Sequence, residues 1–147
     1  MRLKIFALAL GFLLFGQAQA QTDMFKNFGE YKVYYTVFNS SFITPEIAEI
    51  YGLTRAEDQA IVNISLVRTS PDGDSLGLPA RVSGHRQNLF MQSFPFRFIE
   101  IDEGDATYYL AAFAFEDQDP LHFKIEVSHA GISVPYQIDF TRTLYHD

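Results

Sequence analysis

The sequence predicts an all-β fold: an immunoglobulin-like antiparallel β-sandwich of about seven strands, with one short helix between the first two. Three observations carry this. Apolar residues alternate with period two through most of the chain. Clusters of Gly, Pro, Asn, Asp and Ser break the alternation at short intervals. Finally, 15 Phe and 8 Tyr among 147 residues supply bulky side chains for a core between two sheets. A closed barrel is the alternative architecture.

The elements follow in order. Residues 29–38, GEYKVYYTVF, place Tyr31, Val33, Tyr35 and Val37 on one face of a first strand. Thr44 is a good N-cap, Pro45 suits the first helical position, Glu46 suits the positive end of the dipole and Gly52 suits the C-terminal stop. Between them Ile47, Ile50 and Tyr51 form an apolar stripe, expected to pack on the sheets. Residues 59–68 bring Ala60, Val62, Ile64 and Leu66 together, and residues 70–75 turn the chain. A weaker strand at 79–88 contains Gly84, read as a bulge. Phe94, Phe96 and Phe98 then alternate along a strand whose Pro95 demands an edge or a bulge. After a hairpin turn at 102–105, residues 107–115 are apolar on both faces, the pattern of a central, doubly covered strand. Following a turn at 116–120, Leu121, Phe123, Ile125 and Val127 face inward. The last strand places Val134, Tyr136, Ile138, Phe140 and Leu144 on one side.

Residues 1–20 differ in kind. Arg2 and Lys4 precede an apolar run at 5–15, and Ala18-Gln19-Ala20 supplies a small-x-small cleavage site. That run is shorter than the ~20 residues a membrane span needs. The expectation is a cleaved signal peptide over 1–20, one β-sandwich domain over 21–147, a periplasmic protein and no membrane span after cleavage. With no Cys, disulfides, thiol nucleophiles and zinc-thiolate sites are excluded, and stability rests on packing. A net charge of −7 argues against nucleic acid, whose backbone requires clustered cations.

Several stretches carry a family resemblance. Phe38-Asn39-Ser40-Ser41-Phe42-Ile43 with Pro45, Ala48, Tyr51-Gly52 and Arg55 resembles the opening motif of an exported bacterial family, domain of unknown function 4426. Val62-Asn63-Ile64-Ser65, Gly84, Asn88-Leu89, Gln92, Phe96-Arg97, residues 103–106, Tyr108-Tyr109, Phe140 and residues 145–147 are similar as well. Two positions depart from the pattern: Ser41 stands where threonine is common, and Ala56 where a serine often follows the arginine. The resemblance implies a Gram-negative periplasmic protein and brings no established activity.

Chemical motifs are sparse. The 4 His residues lack the converging spacing of a metal set, so no metal or cofactor is expected and they read as solvated surface side chains. No Gly-x-Ser-x-Gly elbow or phosphate-binding Gly-rich loop occurs. Asp72, Asp74, Asp102, Glu103 and Asp105 could gather at one end of a sandwich, but without calcium-loop spacing. Arg97, between Phe96 and Phe98, is expected to be buried in an ion pair with Glu100 or a neighbouring strand. Strand reversal sends residues 39–58, 88–92, 116–120 and 145–147 to the other end. Asn39, Ser41, Tyr51, Arg55, Asn88 and Gln92 meet there as a candidate binding site on loops held by a rigid scaffold. The competing role for them is structural, with Asn39 and Asn88 bonding loop backbones and Arg55 pairing with a carboxylate. The functional expectation is a non-enzymatic protein that binds a periplasmic protein, peptide or small ligand, by these loops or by strand addition near Pro95. A hydrolase or isomerase using carboxylates and Tyr, or a purely structural envelope role, is the alternative.

Overall fold

The computed structural model describes residues 24–147, so the leader expected at 1–20 lies outside the described residues. The chain runs β1 (Phe25–Phe28), β2 (Tyr31–Asn39), α1 (Pro45–Tyr51), β3 (Gln59–Ser70), β4 (Gly73–Asp74), β5 (Arg81–Gln87), β6 (Ser93–Pro95), β7 (Ile99–Asp102), β8 (Thr107–Ala114), β9 (Pro120–Ser128) and β10 (Tyr136–Thr143). One antiparallel sheet has the order β1-β2-β3-β8-β7, with β4 paired to β3; the other has the order β10-β9-β5-β6. The two sheets stay separate, so the architecture is a β-sandwich and no barrel closes. Apart from β1 and the short β4 and β6, the partition of strands is that of an immunoglobulin constant-type sandwich.

The core is the alternation seen in the sequence. Val33, Ala60, Val62, Ile64 and Leu66 from one sheet meet Leu121, Phe123, Ile125, Val127 and Ile138 from the other. Phe123 is fully buried at its centre, stacked on Phe140 at 4.7 Å and edge-on to Phe113 at 5.6 Å. β8 is covered on both faces: Tyr109, Ala111 and Phe113 join this core, and Leu110 joins a second cluster with Ile61 and Ile101. Val134 is the exception on the last strand, since it precedes β10 and is exposed.

Four local expectations are corrected. β1 forms a hairpin with β2 on the sheet edge, so the helix follows the second strand; mostly exposed side chains in FKNF hide it from a periodicity reading. The helix has its Thr44 cap and its left-handed Gly52 stop, at φ 66, but it turns Ala48 and Tyr51 to the sheet. Ile47 and Ile50 face water instead, because a seven-residue helix seated on Ala48 has only a narrow inner face. The strand expected through Phe94–Phe98 is two strands: β6 pairs with β5, β7 pairs with β8, and residues 96–98 carry the chain between the sheets. Pro95 does sit on a sheet edge, where its missing N–H costs nothing. Arg97 lies in that crossing segment and is exposed, and among the described residues it has no ion pair.

Gly84 is no bulge. It holds regular register opposite Ile125, and a Cβ there would lie 2.4 Å from the Lys124 carbonyl oxygen. Backbone, which cannot step aside cheaply, sets that limit. Gly84→Ala is expected to destabilise the fold by ~1–3 kcal/mol, the usual range for overpacking. Urea melts of the two proteins measure it, and equal midpoints would contradict the close approach.

Candidate functional site

The loops at one end of the sandwich are tied to one another by side chains that strand reversal delivers there. Asn39, at the end of β2, donates from Nδ2 to the Tyr145 carbonyl and to Asp147 Oδ1, each at 2.8 Å. The Ser41 hydroxyl donates to Asp147 Oδ2. These two donors, Ser41 first, hold the Asp147 carboxyl below its ordinary pKa. Arg55 donates to the Ser41 carbonyl at 3.5 Å and has no ion pair among the described residues, contrary to the carboxylate partner expected. Buried Ser40 closes the loop at its base, bonding the N–H and the carbonyl of Ala56. Only the backbone of Ala56 takes part in these bonds. Tyr51 packs into the small core under the helix.

Asn88 and Gln92 form a separate unit. Asn88 Oδ1 accepts from the N–H groups of Phe90 and Gln92 at 3.0 Å, and Asn88 Nδ2 donates to Gln92 Oε1 at 2.8 Å. Two backbone bonds between Asn88 and residues Met91 and Gln92 close the loop. The loop so fixed holds Leu89, Phe90 and Met91 in water at 70%, 86% and 73% exposure. Met91 adopts φ 62, a left-handed conformation that a bulky residue rarely takes. Gln118, in the turn beside it, does the same at φ 61.

Below this loop lies a cleft of about 380 Å³, lined among others by Arg86, Phe90, Phe94, Phe115, Glu116 and Asp119. Arg86 occupies an inward position on β5, in register with Phe94 and Phe123. Its guanidinium sits 5.2 Å from the Phe94 ring, 5.6 Å from Phe96 and 5.1 Å from Phe113. One bond, to the Ala114 carbonyl at 3.4 Å, is its hydrogen bonding among the described residues. Among the described residues no carboxylate lies within salt-bridge reach, and burial holds its pKa below the ordinary value. Alternation alone assigns the charged inward side chain to Arg97. The parity of Val82, Gly84 and Arg86 on β5 is the sequence signal that points to Arg86 instead.

Thus the six residues expected at the site divide. Asn39 and Ser41 bond residues 145–147, Arg55 bonds the Ser41 carbonyl, Asn88 and Gln92 brace the exposed loop, and Tyr51 packs beneath the helix. Asn88 and Gln92 also line the cleft.

Elsewhere several acidic turn residues already have partners. Asp74 accepts from Tyr34 and Lys32, Asp102 from the Gly104 N–H, and Glu103 from the Tyr108 hydroxyl. Among the described residues no group of three His, Asp or Glu side chains is placed to hold a metal ion. Burial and then Glu103 push Tyr108 up to about 12. The carboxyls of Asp74, Asp117 and Asp147 all move down. His129 is half-buried between the rings of Tyr31 and Tyr136 rather than solvated. A larger hollow, about 460 Å³, lies on the outer face of the second sheet beside Gly84 and brings His85, Lys124, Glu126 and Asp139 together. It lacks the aromatic walls of the loop-end cleft.

The clamp on Asp147 makes a pH-dependent contribution. A depressed folded pKa means that this stability is complete above the ordinary carboxyl value of 3.8 and is lost as pH falls through the folded value. Asp147→Ala should therefore melt below wild type at neutral pH, with the gap closing in acid. Thermal melts across that range check it, and a gap independent of pH would refute the carboxylate's part.

A crystal structure of a DUF4426 family protein from Pseudomonas aeruginosa PAO1 superposes with a TM-score of 0.73 at 29% identity, covering 84% of this chain and 95% of that one. No curated protein matches the chain. The family described as Domain of unknown function (DUF4426) matches residues 25–147, nearly all that the structure describes, and the chain belongs to that family.

Proposed function

We propose that this protein is a non-enzymatic periplasmic binding protein that takes an apolar peptide segment at its loop end. The observation that carries the reading is the loop at 88–92: a fixed, partly left-handed loop that keeps three large apolar side chains in water. Two unfavourable terms coincide there, apolar exposure and backbone conformation. Backbone strain of this kind costs ~1–3 kcal/mol and concentrates where a protein binds or acts. Exposed apolar clusters likewise mark interaction surfaces on soluble domains. Phe42, Ile50 and Tyr145, all exposed, add to the apolar character of that end.

Binding accounts for the electrostatics better than acid–base catalysis does. A general acid needs a carboxyl raised toward neutrality, and a Tyr base needs a lowered hydroxyl. The shifted carboxyls here move down and the shifted tyrosines, among them Tyr108 and Tyr109, move up. These directions favour a binding surface over a hydrolase or isomerase.

Phe90→Ser tests the site directly. Measured by fluorescence anisotropy with apolar peptides blocked at both ends, its affinity should fall at least ~10-fold, about 1.4 kcal/mol, while its melting matches wild type. Unchanged affinity would remove the loop from the site. Export belongs to the same proposal. It is supported by the leader-like residues 1–20 and by a family match that begins only at residue 25. Sequencing of the protein from periplasmic extract should begin at Gln21; Met1 retained in a membrane fraction would overturn it.

A further inference from the structure

Resting on the loop-end reading, we infer that the cleft beneath the 88–92 loop is a subsite for a zwitterion, namely the free ends of a short apolar peptide, with carboxylate on Arg86 and ammonium toward Glu116 and Asp119.

The Arg86 side chain poses the question. A guanidinium has five N–H donors. In this protein it makes one long hydrogen bond, to the Ala114 carbonyl at 3.4 Å, and no ion pair among the described residues. Three aromatic rings lie against it, so it has lost part of its water. Yet none of its nitrogens is a fully buried orphan; among the described residues that state belongs to Asn63 Oδ1 alone. The unused donors therefore keep access to solvent, and Arg86 lines the cleft. Planar, paired donors fixed in a site of reduced dielectric are suited to one partner above others, a carboxylate held by two parallel bonds.

The rest of the lining fixes the other half of the ligand. Phe90, Phe94, Phe115 and Leu121 supply apolar walls, while Glu116 and Asp119 sit on the same cleft without reaching Arg86. A purely anionic ligand would meet those two acids as like charges. A ligand carrying its own cation meets them as partners. At about 380 Å³ the cleft falls within the range that seats small molecules, ~300–1,000 Å³, and so takes a dipeptide-sized ligand rather than a folded surface.

Titration calorimetry on the mature chain with leucyl-phenylalanine, its C-terminal amide and its N-acetyl form separates the contacts. The free dipeptide should bind. Amidation should weaken it at least ~10-fold, the effect of stranding a buried charged donor set, and acetylation should weaken it by a smaller factor. Arg86→Met, which keeps a long apolar stem against the rings, should abolish the preference for the free carboxylate. Should that variant fold poorly, Glu116→Gln with Asp119→Asn, at an exposed and a half-exposed position, gives the second arm. It should erase the difference between the free and the acetylated dipeptide and leave the penalty for amidation. Equal binding of dipeptide and amide, or retention of the preference by Arg86→Met, would overturn the inference. So would no binding of any of the three. If the doubly blocked peptides still bind in a manner sensitive to Phe90→Ser, the loop-end reading stands and only the zwitterion subsite falls; if they do not, both fall.

Discussion

Arg86 stands among aromatic rings with no carboxylate partner among the described residues, and those rings are the seam between the two sheets. Phe113 comes from β8 in one sheet and Phe94 from β6 in the other, while Phe96 comes from the segment that crosses between them. Phe96 and Phe113 both lie against Phe123, the buried centre of the core. Each such ring removes ~150–250 Å² from water, and ring pairs add ~0.5–1.5 kcal/mol beyond that area. In a chain without cysteine this seam takes the place of the disulfide that joins the sheets of other sandwiches. The cation–ring contacts at Arg86 are thus an extension of the core to its open edge. A change that loosens Phe96 or Phe113 loosens the guanidinium with it.

Polar contacts add to burial in tying the loop end together. The loop after β2, the turn after β8 and the last residues are bonded to one another through Asn39, Ser41 and Asp117, which accepts from the His146 N–H at 2.8 Å. Each such bond contributes only ~0.5–1.5 kcal/mol, and less where water competes. Polar residues that cluster by strand parity thus hold loops, and the groups free to meet a ligand lie beside them: Phe90 above the cleft, Arg86 within it.

Much of this architecture is legible in the amino-acid order alone. Period-two alternation locates the long strands and the inner faces of Val33, Val62, Ile64, Phe123, Ile125 and Ile138, since one face of an antiparallel strand must be buried whatever the rest of the fold does. Strand parity also sends the loops around Asn39, Asn88 and Asp117 to one end. What is not legible depends on contacts distant in sequence. Whether residues 94–101 stay in one sheet or cross between two is decided by the partners available to β5 and β8, and the alternating Phe94, Phe96 and Phe98 are compatible with either. Arg97 follows the same logic: alternation puts it in a strand, and the crossing puts it in water. Gly84 is ambiguous because a bulge and a close backbone approach both favour glycine. The helix stripe fails because the sheet meets Ala48, and seven residues cannot present a broad face.

Net charge bears on what the cleft selects. The chain carries −7 overall, and its acidic turns are exposed, so an approaching anion is repelled once it comes within roughly a Debye length, ~8 Å at physiological ionic strength. A guanidinium recessed among rings is hidden from that approach and contributes little to steering. It acts only at contact, where reduced dielectric strengthens its pull on a carboxylate. A zwitterion has no net charge to be repelled, and its ammonium is drawn by the same acids that repel an anion. Lining one cleft with Arg86, Glu116 and Asp119 therefore discriminates by charge arrangement more than by charge, a filter that acts beside the fit to the apolar walls.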